Sequence, residues 1–143
     1  MQARERKTNI AAPPTSFVGR DDDLAALHGE LRRGRLVTVV GPPGAGKTRL
    51  AEEYVLRHGG AFVGSAAGGA WFCDLAEAAV VDDVLRTVAS VLGVSLADQR
   101  ARSDPAGHLE SVLASRGATL LLLDNFEQLV GVAWSMLVRW RRA

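Results

Sequence analysis

A chain of 143 residues, 48% of them hydrophobic, suits one domain with a real core. Its net charge of +1 gives no global field for nucleic acid or a membrane surface, and no apolar run reaches the roughly 18 residues that span a bilayer. Cys73, the one cysteine, has no internal disulfide partner, and the charged start MQARERKTNI lacks the apolar stretch of a secretory signal, so the cytoplasm is the expected compartment.

Residues 1–14 are polar and then proline-bearing at Pro13 and Pro14, and read as a linker or disordered arm ahead of a domain over 15–143. A helix is predicted next, within SFVGRDDDLAALHGELRRG at 16–34. Asp21 to Asp23 suit its N-terminus, Leu24, Leu27 and Leu31 form an apolar stripe, and Gly34 stops it. LVTVV at 36–40 is apolar and rich in β-branched residues, the pattern of a strand.

That run leads into GPPGAGKT at 41–48, which fits G-x-x-x-x-G-K-[ST] without a mismatch. The spacing has a physical basis. Gly41, Pro42, Pro43, Gly44, Ala45 and Gly46 form a loop whose glycines let backbone N–H groups turn inward around phosphate oxygens. Lys47 supplies a mobile point charge for the β- and γ-phosphates, and the Thr48 hydroxyl is a Mg²⁺ ligand. Thr48 and Arg49 open a helix over 48–58, with Leu50, Tyr54 and Arg57 on one face, whose N-terminal dipole favours the same anion. Lysine occurs only at Lys7 and Lys47 in a chain that otherwise uses arginine, which fits a site requiring a compact ammonium.

Residues 59–69 are small and glycine-rich, a predicted loop, and AWFCDL at 70–75 reads as a buried strand. A helix follows over 80–92, with Asp82 and Asp83 early and Gly93 as its stop; 95–104 is a polar loop. Asp104 then caps a helix with Pro105 at its first position and Gly117 at its end. His28, His58 and His108 are far apart in sequence, without ligand-spaced cysteines, and read as surface or helix-end residues rather than metal ligands.

ATLLLLDNFEQL at 118–129 is the second strong signal. Its run of leucines describes a strand covered on both faces, as in a parallel sheet, and it ends on Asp124. A carboxylate at that sheet edge, downstream of a P-loop, is the Walker B arrangement, in which Asp124 holds Mg²⁺. Many P-loop ATPases place a glutamate directly after this aspartate; here the position is Asn125. Glu127 is the nearby candidate for polarising water, although Asn125 to Gln128 also reads as a capped helix start.

With FVGR, GPPGAGKT and LLLLDNFEQL in this order, the chain resembles the signal-transduction P-loop ATPases, the STAND, NB-ARC and AAA-like NTPase modules of bacterial transcriptional regulators. TSFVGRDDDLAAL at 15–27 is similar to their arm before the P-loop, which implies that Val18, Gly19 and Arg20 lie near the adenine and ribose. WFCDLAEA at 71–78 and LDNFEQL at 123–129 are similar to the bacterial branch. The resemblance implies a three-layer α/β fold with a mostly parallel sheet, ATP or ADP and Mg²⁺ as ligands, and attached or associated regulatory domains. Family members continue with a sensor strand, a fifth strand and a helical lid. This chain ends at VRWRRA, so the expectation is a sheet incomplete at its C-terminus, with strands at 35–40, 70–74 and 119–124, in a fragment or a chain that pairs with a partner or with itself.

The expected function is Mg-ATP binding with slow hydrolysis as a regulatory switch, with no direct nucleic-acid or membrane binding by this segment. A non-catalytic nucleotide-binding or interaction module is the main alternative. A small-molecule kinase would need an arginine lid, for which Arg100 and Arg102 are the candidates, and no N-K-x-D sequence supports guanine reading.

Overall fold

The computed structural model describes residues 7–64 and 67–143. Two strands, β1 (Gly69–Asp74) and β2 (Thr119–Asp124), pair in parallel, with Gly69 opposite Thr119 and Asp74 opposite Asp124. Side chains alternate along a strand, so this register sorts the apolar residues into two sets. Ala70, Phe72, Leu120 and Leu122 fall on one face with Val55 and Phe62, from α2 (Lys47–His58) and α3 (Gly60–Val63). Cys73, Leu121 and Leu123 fall on the other, against α4 (Val81–Leu92), α6 (Pro105–Arg116) and α7 (Val130–Trp140). Helices therefore cover both faces of a parallel pair, the layering expected of a P-loop α/β domain.

The larger core lies on the second face. Leu75, Leu109 and Leu129 are fully buried there, each contributing about 1.5–3 kcal/mol over an exposed position. Trp140 closes it, its indole N–H donating to the Ala106 carbonyl at 3.0 Å. Cys73 is also fully buried, which pushes its thiol up to about 12 and removes it from thiolate chemistry. On the first face, α1 (Asp21–Arg33) packs on α2 through Leu24, Leu50 and Tyr54.

Helix ends follow the capping chemistry. Asp83 accepts from the backbone N–H of Ala79 and Val80 at 2.9 and 3.1 Å, and Gly93 ends α4 in the left-handed region. Asp104 accepts from Gly107 N–H at 2.9 Å, with Pro105 at the first position of α6.

Several expectations are corrected. LVTVV at 36–40 forms no strand: the sheet of the described residues has two members, and Val40 is 87% exposed. Residues 36–40 and β2 line one cavity of about 800 Å³, to which Leu36, Val37, Val39, Leu121 and Leu123 all contribute, and among the described residues no ladder pairs the segment with β2. Strand propensity without a neighbour to complete the ladder leaves the chain merely extended. Residues 59–69 contain α3, with 65 and 66 outside the described residues, and the polar loop at 95–104 contains α5 (Gln99–Ser103).

The predicted linker is also more ordered than its composition suggests. Residues 1–6 lie outside the described residues, but Thr8 forms a parallel bridge to Ala70, and Asn9 exchanges two hydrogen bonds with the Phe72 backbone at 2.8 and 2.9 Å. Ile10 is buried beside Val55 and Ala70. This segment covers the outer edge of β1. The fold also joins His28 to His58, far apart in sequence, with ring centroids 4.8 Å apart and Tyr54 Oη 3.1 Å from His28 Nδ1. Among the described residues no group of three or more His, Cys, Asp or Glu could hold a metal ion, and no helix is long and apolar enough to cross a membrane.

Candidate functional site

The glycine loop between residue 40 and α2 has the backbone its sequence demands. Gly44 and Gly46 have φ of 80° and 77°, in the left-handed region that side chains disfavour. Gly46 is also the N-cap of α2 and makes no side-chain cap. The first intrahelical bond there runs from Leu50 N–H to Gly46 O, so the N–H groups of Lys47, Thr48 and Arg49 have no partner within the helix. Unpaired donors and a dipole at a helix start form an anion site.

Lys47 folds back over the loop. Its Nζ donates to the carbonyls of Gly41 at 2.8 Å and Pro42 at 3.2 Å, which places the ammonium at the loop entrance. Across the sheet edge, the Thr48 hydroxyl donates to Asp124 Oδ2 at 2.7 Å, joining residues 76 positions apart. The structure thus brings together Lys47, Thr48 and Asp124. The Thr48 hydroxyl and the Asp124 carboxylate are adjacent hard oxygens, a donor set that fits Mg²⁺, which keeps waters and substrate phosphates as its remaining ligands.

Arg20 joins the preceding arm to this loop. Its guanidinium donates to Asp23 at 2.7 Å, to Ala45 O at 2.7 Å and to Gly46 O at 3.4 Å. Gly19 has φ of 78°, turning the chain into α1, while Val18 is 80% exposed. Arg49 points away from the loop: it donates to Thr15 O at 2.8 Å and lies over the Phe17 ring, so only its backbone N–H belongs to the helix start. Pro43 is exposed at the tip of the loop, and the Pro42 carbonyl accepts from Ala45 N–H at 3.1 Å.

Glu127 is exposed at the start of a 3-10 turn (Glu127–Leu129), and its carboxylate makes no hydrogen bond to the described residues. The predicted cap after Asp124 is replaced by a different arrangement. Asn125 is the one non-glycine of the described residues with positive φ, at 57°, and α7 begins only at Val130. Gln128 does not reach back to Asn125; its amide donates to Leu75 O at 3.2 Å and ties the turn to the chain after β1. The Asn125 amide instead donates to Asp74 Oδ1 at 2.9 Å.

Asp74 is the residue that sequence reasoning missed. It ends β1 opposite Asp124, and its carboxyl is held below the usual carboxylate range by the backbone N–H of Ala76 and then by Asn125. The available signal was the parallel between AWFCD and LLLLD, two apolar runs that each end on an aspartate.

Comparison with known proteins agrees with this geometry. A family model described as an AAA domain matches residues 30–143. Relatives described as uncharacterized proteins occur in Mycobacterium bovis (strain ATCC BAA-935 / AF2122/97) and in Mycobacterium tuberculosis strains CDC 1551 / Oshkosh and H37Rv. Each is 35% identical over 116 residues, covering 81% of this chain. The chain spans 28% of the length of these relatives. No solved structure matches.

Proposed function

The chain belongs to the AAA domain family of P-loop nucleotide-binding domains, and from that premise we propose that it binds Mg-ATP and hydrolyses it slowly as a regulatory switch. The observation that carries this reading is the 2.7 Å contact between Thr48 Oγ1 and Asp124 Oδ2 beside an unpaired helix start. Phosphate oxygens would meet the N–H groups from Gly44 to Thr48, and Lys47 would swing from the Gly41 and Pro42 carbonyls to the β- and γ-phosphates. Thr48 and Asp124 would hold the magnesium ion, which when bound neutralises charge on the phosphates. Catalysis of this kind depends on positioning and charge stabilisation rather than on a covalent intermediate.

A switch also needs a route from the nucleotide to the rest of the protein. Arg20 offers one, since it contacts both the Ala45 carbonyl and Asp23 in the first turn of α1. A loop that shifts around a γ-phosphate would move these contacts, and attached domains of a transcription regulator would read the change. The arm from Val18 to Arg20 would then border the nucleoside.

A non-catalytic nucleotide-binding module is favoured by two observations: the residue after Asp124 is an amide engaged with Asp74, and Glu127 stands exposed. ATP titration of the native chain and of Lys47→Ala, followed by phosphate-release measurements, separates the readings. The switch requires saturable binding that Lys47→Ala weakens, together with phosphate release above background. Binding without release selects the non-catalytic module, and unchanged affinity in Lys47→Ala removes the phosphate cradle from both.

A further inference from the structure

Residues 7–20 run from the outer edge of β1 to the phosphate loop and are pinned at both ends. At the β1 end, Ala70 N–H donates to the Lys7 carbonyl and Lys7 Nζ donates to the Ala67 carbonyl, each at 3.0 Å. The Asn9 side chain stands in for a peptide group: its Oδ1 accepts from Phe72 N–H and its Nδ2 donates to the Phe72 carbonyl. Ile10 is buried with Val55 and Ala70. Pro13 and Pro14, whose rings fix φ, then stiffen the spacer.

Beyond the prolines α2 clasps the chain. Arg49 donates to the Thr15 carbonyl at 2.8 Å, and the guanidiniums of Arg49 and Arg57 lie over the Phe17 ring, 5.6 and 5.4 Å from its centroid. Phe17 also packs against Leu24, Leu50 and Tyr54. Arg49 directly follows Thr48, so the residue whose side chain holds this strap presents its backbone N–H at the helix start. Arg20 ends the run on the carbonyls of Ala45 and Gly46.

We propose that this strap couples the edge of β1 to the phosphate loop: docked on β1 it holds the loop in its nucleotide-binding form, and released it lets the loop loosen. The inference rests on the nucleotide-binding reading above. Thr8, Asn9 and Ile10 do not line the cavity of Lys47, Thr48 and Asp124, so they act on nucleotide through the strap and not by contact. Docking uses a short rung of hydrogen bonds and one buried side chain, which makes release far less costly than unfolding. Coupling between two sites is reciprocal: nucleotide must tighten the strap by the same factor by which the docked strap raises nucleotide affinity.

The test uses the full chain with ADP, which is not consumed during a long measurement. The amides of Ala70 and Phe72 report docking directly, because their acceptors are the Lys7 carbonyl and Asn9 Oδ1. Saturating ADP should slow their hydrogen exchange by roughly threefold to fivefold, and Ile10→Asp, which expels the strap, should weaken ADP binding by the same factor. Asn9→Ala should give a smaller loss of affinity in the same direction, and serves if Ile10→Asp does not fold. Phe17→Ala cuts the strap between its ends. In that variant ADP should leave the Ala70 and Phe72 amides unchanged, and adding Ile10→Asp should cost no further affinity.

ADP binding with Ala70 and Phe72 amides indifferent to it, native affinity in the strap variants, or undiminished coupling in Phe17→Ala would overturn the inference and leave nucleotide binding intact. Amides of Ala70 and Phe72 that exchange as fast as unpaired ones would overturn it too, since the strap would then not be docked. No ADP binding by the native chain overturns the nucleotide-binding reading as well.

Discussion

Arg20 Nη1 donates to the Ala45 carbonyl at 2.7 Å, so the residue before α1 holds the loop before α2 by its backbone. The same guanidinium pairs with Asp23. A Cβ placed on Gly46 would come within 3.2 Å of Arg20, which shows how closely the guanidinium covers the loop. Hydrogen bonds from a charged donor contribute about 1.5–3 kcal/mol when sheltered, and partial exposure of Arg20 reduces this toward about 1 kcal/mol.

Arg20→Ala should therefore weaken ADP and ATP binding by roughly fivefold, through a loosened loop rather than lost ligand contacts. Arg20→Lys should recover only part, since a point charge cannot span Asp23 and Ala45 as a planar fork does. Calorimetric titration of the three forms checks this. Equal affinity in native protein and Arg20→Ala would detach the arm from the site.

The Thr48–Asp124 contact predicts a separation between nucleotide and metal effects. Asp124→Asn keeps the shape and can still accept from the Thr48 hydroxyl, but it removes the charge that a divalent ion requires. Its affinity for ATP in a chelator should match the native value within about twofold, whereas the gain on adding Mg²⁺ should shrink by on the order of tenfold. A full Mg²⁺ effect in Asp124→Asn would place the ion elsewhere.

Legibility of the sequence divides along local and non-local lines. Gly44 and Gly46, the caps at Asp83 and Asp104, and the leucine run into Asp124 impose local constraints, and each is visible as a pattern. The contact of Thr48 with Asp124 was also anticipated, because two motif ends imply one ligand. Where the partner is distant, pattern reading fails. Nothing local tells that Asn9 zips onto Phe72, that Asn125 turns toward Asp74 instead of capping a helix, or that His28 stacks on His58. The segment 36–40 shows the converse: its residues favour a strand, yet without a neighbour to pair with they form none.

That segment and β2 line an apolar cavity of about 800 Å³, and β2 is only partly buried along its whole length despite its leucines. Unpaired strand groups beside apolar surface favour association with another strand. The isolated chain should bind a hydrophobic dye and sediment as concentration-dependent oligomers. Trp134→Lys, which puts a charge on an exposed apolar residue lining this cavity, should reduce both signals. A monodisperse monomer with a steep, cooperative melt would sink this expectation.

Acid should undo the start of α4 in a definable window. The Asp83 carboxyl is held below its ordinary value, first by the backbone N–H groups of Ala79 and Val80 and then by Arg86. A folded value below the unfolded one stabilises the fold fully above the unfolded value, about pH 3.9, and that contribution fades as pH falls through the lower folded value. Asp83→Asn should therefore melt below the native protein at neutral pH, and the gap should close in acid as native Asp83 also loses its charge. Circular dichroism melts of both forms across this range measure it. A gap that stays constant down to about pH 2, below both values, would mean that packing rather than the capping charge sets the stability of this helix start.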